Sequence, residues 1–200
     1  MSLNLQVFTV GHSNHSWEHF QRLLQSHGVT GVADVRSAPH SRYSPHFDRD
    51  DLKSSLINIG IVYSFLGDQL GGRPRASNLY CDGVADYERI AETSEFKSGI
   101  GRVIEGAQRY RVALLCSEHD PLTCHRCLLV ARRLAEKKVD IKHILANGTL
   151  VSQEVLEDRL LKKLGFSDKD FFSSREERLS LAYQHQNRKV AFAEPTKAAI

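Results

Sequence analysis

Three of the chain's four cysteines fall between positions 116 and 127, in the run LLCSEHDPLTCHRCLL. Cys116 ends an apolar stretch, and the spacing predicts a helix over 124–137, capped by Thr123, whose first turn carries Cys124, His125 and Arg126. A thiol beside a helix start, a His or an Arg has its thiolate stabilised and becomes a nucleophile where it is accessible. Cys116 is the better placed to attack, because strand ends in α/β sheets face the ligand crevice. Cys124 then either resolves an intermediate through a reversible disulfide or lines the pocket. Cys127, one turn from Ala131, reads as structural, and Cys81 stands apart. The cluster also holds enough sulfur and nitrogen for zinc, but lacks paired CxxC knuckles. No cofactor is therefore expected, with zinc on Cys116, Cys124 and His125 as the alternative. Leu122 occupies the sixth position after Cys116, so the phosphatase spacing Cys-x5-Arg is absent. Arg126 can still fold back from the helix to fork onto an oxyanion.

Further polar groups follow other predicted strand ends. Gly11-His12-Ser13 offers a proton carrier and a hydroxyl. In Asp34-Val35-Arg36, strand alternation turns Asp34 and Arg36 to one side. Either the two pair to anchor the next loop, or Arg36 holds a substrate anion while Asp34 orients a neighbour. The loop Pro39-His40-Ser41-Arg42-Tyr43-Ser44-Pro45 combines cations, hydroxyls and an aromatic, which suits phosphate contact through Ser41 and Arg42 and base stacking. It also fits an ordinary polar loop. Gly71-Gly72-Arg73-Pro74-Arg75 adds two movable cations, Arg73 among the expected substrate contacts, without the GK[ST] ending of a phosphate-binding loop.

These groups need a scaffold that brings strand ends together. Val7–Val10, Val32–Val35, 61–65, 111–116 and 140–145 read as β-rich runs, separated by amphipathic segments such as Trp17, Phe20, Leu24 and Phe96, Ile100, Val103. Parallel neighbours require crossovers, so this alternation predicts a three-layer α/β fold: about five mostly parallel strands with helices on both faces, plus C-terminal helices. Asn147-Gly148 marks a turn, and Ser174-Arg175-Glu176-Glu177 a capping box. The expected organisation is a core over 1–150, a helical extension over 151–187 and a flexible tail over 188–200. A 200-residue chain that is 41% hydrophobic suffices for one substantial core, and a net charge of +3 does not by itself imply nucleic acid. The N-terminus lacks the cationic flank of a secretory signal, and no stretch reaches the roughly 18 apolar residues of a membrane span. A cytoplasmic protein with reduced thiols and no membrane partner is expected.

The ordered motifs GHS, DVRSAPHSR, LGGRP, LLCSEHDPLTCHR and HILANGTL resemble the domain of unknown function 488 family over about residues 7 to 150. The resemblance implies a cytosolic α/β domain of bacterial or archaeal type. Its characteristic positions match here at His12, Ser13, Asp34, Arg36, Pro39, Ser41, Arg42, Gly71, Gly72, Cys116, Glu118, Cys124, His125 and Arg126, which adds Glu118 to the candidate site. It implies no activity. The residues point to an enzyme whose thiol and arginine cleft acts on a phosphate-containing or other acidic small molecule, with Cys116, Cys124, His12 and His125 as the reacting groups. The alternative is a non-catalytic nucleic-acid or nucleotide-binding module with structural or metal-binding cysteines.

Overall fold

The computed structural model describes residues 5–41, 43–166 and 173–194. Its first half alternates strand and helix: β1 (Gln6–Gly11), α1 (Trp17–Ser26), β2 (Gly31–Asp34), α2 (Arg49–Asn58) and β3 (Val62–Phe65). A short α3 (Gly67–Leu70), the hairpin β4 (Tyr80–Cys81) and β5 (Val84–Ala85), α4 (Tyr87–Glu92) and α5 (Ser94–Ala107) lead to β6 (Val112–Cys116). Then come a π-helix over Arg126–Ala131, α6 (Arg132–Glu136), β7 (Asp140–Ile144), β8 (Leu150–Ser152), α7 (Gln153–Lys163) and α8 (Arg175–Val190).

The main sheet has six strands in the order β3-β2-β6-β1-β7-β8. The first five are parallel, as the alternation predicts, and β8 turns back antiparallel after the Asn147-Gly148 turn. β6 returns from α5 to insert between β1 and β2, so Cys116 ends a central strand where the strand order reverses. Ligands collect at such points in open α/β sheets.

Side-chain alternation divides the core into two layers. Phe8, Val10, Val32, Ala113 and Leu115 face α1 and α2, where Phe20, Leu24, Leu52 and Leu56 cover them. Val7, Ala33, Leu114 and Cys116 face the other way, toward Phe96 and Ile100 of α5, Leu160 of α7 and Ala182 of α8. Asp34 is the register partner of Leu115, one residue before Cys116. The Asp34 carboxylate and the Cys116 sulfur therefore leave the sheet on opposite faces.

Hydroxyls start the helices: Ser16, Thr93 and Ser152 accept backbone amides at α1, α5 and α7, and Ser174 with Glu177 forms the expected capping box of α8. The helix after β6 differs from expectation. Asp120 caps a tight turn over Pro121–Thr123 that uses up Thr123, and Cys124 is extended. The first helical bonds run to the Cys124 carbonyl, and the Arg126 amide donates to the Cys124 sulfur at 3.4 Å. Cys124, not Thr123, holds the cap position. Chain expected to be a tail from 188 is helical to Val190. Phe192 and Glu194 then bond the β4–β5 hairpin through Ala85 N–H to Phe192 O and Glu194 N–H to Gly83 O. Residues 195–200 lie outside the described residues. Among the described residues, no helix is long and apolar enough to cross a membrane.

Candidate active site

A cleft of about 140 Å³ opens at the carboxyl ends of β2 and β6, with Cys116, Cys124, His125, Gly72, Tyr87 and Arg73 among its walls. Parallel pairing aligns its floor: His12 N–H donates to Cys116 O at 2.9 Å and Ser13 N–H to Ser117 O at 2.9 Å. Gly11 lets the loop after Cys116 cross close over β1, since a Cβ there would stand 1.9 Å from the Glu118 carbonyl oxygen.

His125 is oriented by one decisive bond. Its Nε2 lies 2.8 Å from Val35 O, and a carbonyl only accepts, so Nε2 carries a proton. The other nitrogen, Nδ1, faces the sulfurs, 3.6 Å from Cys116 Sγ and 4.0 Å from Cys124 Sγ. Gly72 leaves room for the imidazole, because a Cβ there would lie 2.9 Å from His125 Cβ and Cγ. Burial opposes a charge on this ring, yet the Cys124 sulfur and the Val35 carbonyl hold its pKa above the ordinary value.

The two thiols diverge. The Cys124 sulfur lies within 4.8 Å of that of Cys116, and against burial this neighbour, the Arg126 guanidinium and the backbone of Ser117 and Glu118 hold the Cys116 thiol below its usual range. Burial first, and then the neighbouring Cys116, pushes Cys124 far up. The two environments thus favour ionisation of Cys116 over that of Cys124. Burial also raises Cys127, whose sulfur lies against Gln153 Oε1 at 3.9 Å beneath the sheet, away from the cleft.

Arg126 supplies an independent charge argument. Its side chain is fully buried, with Nη1 donating to Glu118 O at 2.5 Å and Nη2 to His119 O at 3.2 Å, while Nε has no partner. Among the described residues no carboxylate pairs with it. A buried guanidinium without a counter-ion is costly, and a Cys116 thiolate supplies the missing negative charge. Arg126 thus shapes the loop and balances the sulfur. Its two Nη groups are spent on backbone carbonyls, and burial keeps the whole side chain from a substrate.

Arg36 borders the cleft, but its guanidinium turns to the α1–α2 face. It grips Asp34 through Nε at 2.9 Å and Nη2 at 2.6 Å, and donates from Nη1 to Phe47 O at 2.8 Å and to His12 Nε2 at 3.2 Å. Tyr63 adds its hydroxyl to Asp34 at 2.8 Å. His12 is locked in this network as a neutral ring: Nδ1–H donates to Ser13 O at 2.7 Å, and Phe47 stacks on it at 4.4 Å. Burial and the adjacent Arg36 lower its pKa from 6.5 to about 4. In this state its acceptor nitrogen is committed to Arg36 and its proton to Ser13.

The other sequence candidates are scattered. Ser13 Oγ donates to Asn14 Oδ1, and Ser41 accepts the Ser44 amide while its own amide donates to Asp48. Arg42 lies outside the described residues. Glu118 and Arg73 border the cleft. Sequence reasoning missed the wall residues Ser37, Ala38, Ser117, Tyr87, Val190 and Phe192. The only signal near Tyr87 is the capping Asp86, and Phe192 follows the last periodic helix.

Cys116, Cys124 and His125 are also the one group of three or more metal-type donors among the described residues, their ligand atoms all within 4.8 Å of one another. Two thiols and an imidazole are the donor types that would hold a thiophilic ion such as zinc. In comparisons with known proteins, the model of the family described as Domain of unknown function DUF488 matches residues 16–133. No curated protein and no solved structure matches the chain.

Proposed function

Since the chain belongs to the DUF488 family, whose description carries no activity, we propose from the site alone that the protein is a cysteine-dependent transferase or hydrolase acting on a small acidic molecule, phosphate-containing or otherwise. Cys116 is the nucleophile. The observation that carries this reading is the placement of its sulfur: it lies against the lone-pair side of a His125 whose other nitrogen is bonded to Val35 O, beside a buried Arg126 that no carboxylate among the described residues pairs with.

The Cys116 proton passes to His125 Nδ1, leaving a thiolate and an imidazolium. The thiolate attacks the electrophilic centre, forming a bond from sulfur to the transferred group as the bond to the leaving group breaks. The leaving group takes the proton from Nδ1. Water or a second acceptor then attacks the transferred group, gives its proton to His125, and expels the Cys116 thiolate. The neighbouring Cys124, the Arg126 guanidinium and the backbone of Ser117 and Glu118 favour the charged sulfur. A cytoplasmic setting, where thiols stay reduced, belongs to the same reading.

The test is covalent capture. Reduced protein incubated with p-nitrophenyl acetate should gain one acetyl group on the Cys116 peptide by mass spectrometry, and Cys116→Ser should gain none while keeping its circular dichroism spectrum. Acetylation of Cys124 or Cys127 ahead of Cys116 would overturn the assignment. One metal ion per chain in freshly purified protein, lost on Cys116→Ser, would favour the zinc alternative. Salt-sensitive oligonucleotide binding that survives Cys116→Ser, with no acylation, would favour the binding module.

A further inference from the structure

Among the described residues, the charges around the cleft leave one cation to recognise an acidic substrate. Arg36 spends its fork on Asp34, and Arg126 lies buried behind the sulfur. Arg73 differs from both. It is exposed, borders the cleft, and has no carboxylate partner among the described residues. Its guanidinium lies 4.8 Å above the Phe192 ring. Stacking of this kind uses the flat face of the group and leaves its edge N–H donors free for a carboxylate or phosphate.

Arg73 is also tied to the reacting groups. Its amide donates to Ser37 Oγ at 3.0 Å, and the preceding Gly72 packs directly on His125. Phe192 belongs to the segment that pairs with the β4–β5 hairpin, so the ring beneath Arg73 is held from a second side. Ser37 and Arg73 are shared with a neighbouring hollow of about 540 Å³ whose walls include Pro74, Arg75 and Leu79. The residue stands between a small chamber holding the sulfur and a larger space outside it.

We infer that Arg73, seated on Phe192, is the residue that selects anionic substrates for the Cys116 cleft. The substrate class is a molecule with a small electrophilic head that enters the chamber, a carboxylate or phosphate close to that head at Arg73, and a larger body in the adjoining hollow. This rests on the thiolate reading above, and deepens it by moving anion recognition from Arg36 and Arg126 to Arg73.

Iodoacetate and iodoacetamide test it without knowledge of the substrate, since both alkylate thiolates and are similar in size, but only the first carries a charge. Rate constants for the Cys116 peptide are measured with each reagent at low ionic strength, and the ratio of iodoacetate to iodoacetamide cancels changes in thiolate fraction. The ratio should fall about three- to fivefold in Arg73→Gln, the effect expected of a partly exposed ion pair. It should fall further in Arg73→Glu and recover largely in Arg73→Lys. Added salt should lower the ratio in the natural protein and less so in Arg73→Gln. A ratio unchanged across Arg73→Gln and Arg73→Glu, with Cys116 still the fastest thiol, overturns the role of Arg73 alone. A Cys116 no faster than Cys124 and Cys127 toward either reagent overturns the thiolate reading, and this inference with it.

Discussion

Acidification should destabilise this fold through His12, by an amount that follows from its surroundings. In the folded protein the ring accepts from Arg36 Nη1 at 3.2 Å and donates to Ser13 O at 2.7 Å, with Asp34 and His46 as further charged or titratable neighbours. Burial opposes a second proton and the Arg36 donor would meet it, so the folded pKa is lowered from 6.5 to about 4. Folding thus favours the neutral ring. This contribution to stability is present in full above the ordinary histidine pKa, erodes as pH falls from 6.5 toward about 4, and loses nothing more below that. Between about pH 7.5 and about pH 4.5 the loss is about 2 to 3 kcal/mol. Urea unfolding of the natural protein and of His12→Asn at both pH values isolates it. Buried His143, lowered to about 3, titrates in both proteins and cancels in the difference. The natural protein should lose about 2 to 3 kcal/mol more than the variant over this interval. Parallel losses would refute the locked, neutral His12.

Two further substitutions probe the supports of the site. Asp34→Asn strips the counter-charge from an Arg36 that is 3% exposed, and should cost about 3 to 5 kcal/mol in urea unfolding; a loss below about 1 kcal/mol would place the pair among weak surface bridges. Gly72→Ala puts a methyl group 2.9 Å from the His125 ring carbon, so the imidazole must shift and Cys116 alkylation should slow about tenfold or more with the fold intact. An unchanged rate would show that His125 does not set the reactivity of the sulfur.

The parallel strands were legible because β-branched runs and helical spacings alternate locally along the chain, and Cys116 was legible as a strand-end thiol for the same reason. The facing of the site was not. Alternation places Asp34 and Arg36 together, but only the pairing of Asp34 with Leu115 puts them across the sheet from Cys116, and that register is set by residues 81 positions apart. The burial of Arg126 was equally hidden. It depends on Asp120 closing a separate turn over Thr123 and on the wide π-helical turn that follows, in which all six residues are buried. An arginine two residues past a cysteine looks like a substrate clamp in sequence, and only the carbonyls of Glu118 and His119 show what its fork holds. Phe192 joins the cleft through a β-bridge at Ala193, a contact more than one hundred residues from its partner Val84.

The most direct measurement is the pH dependence of iodoacetamide alkylation at each cysteine, resolved by peptide mass spectrometry on freshly reduced protein. Cys116 should react fastest, with a midpoint below the ordinary thiol pKa of about 8.5, and Cys124→Ser, which removes the neighbouring thiol that favours its ionisation, should move that midpoint upward. A Cys116 midpoint at or above the ordinary value, or one unmoved by Cys124→Ser, would contradict the supported thiolate on which the account rests.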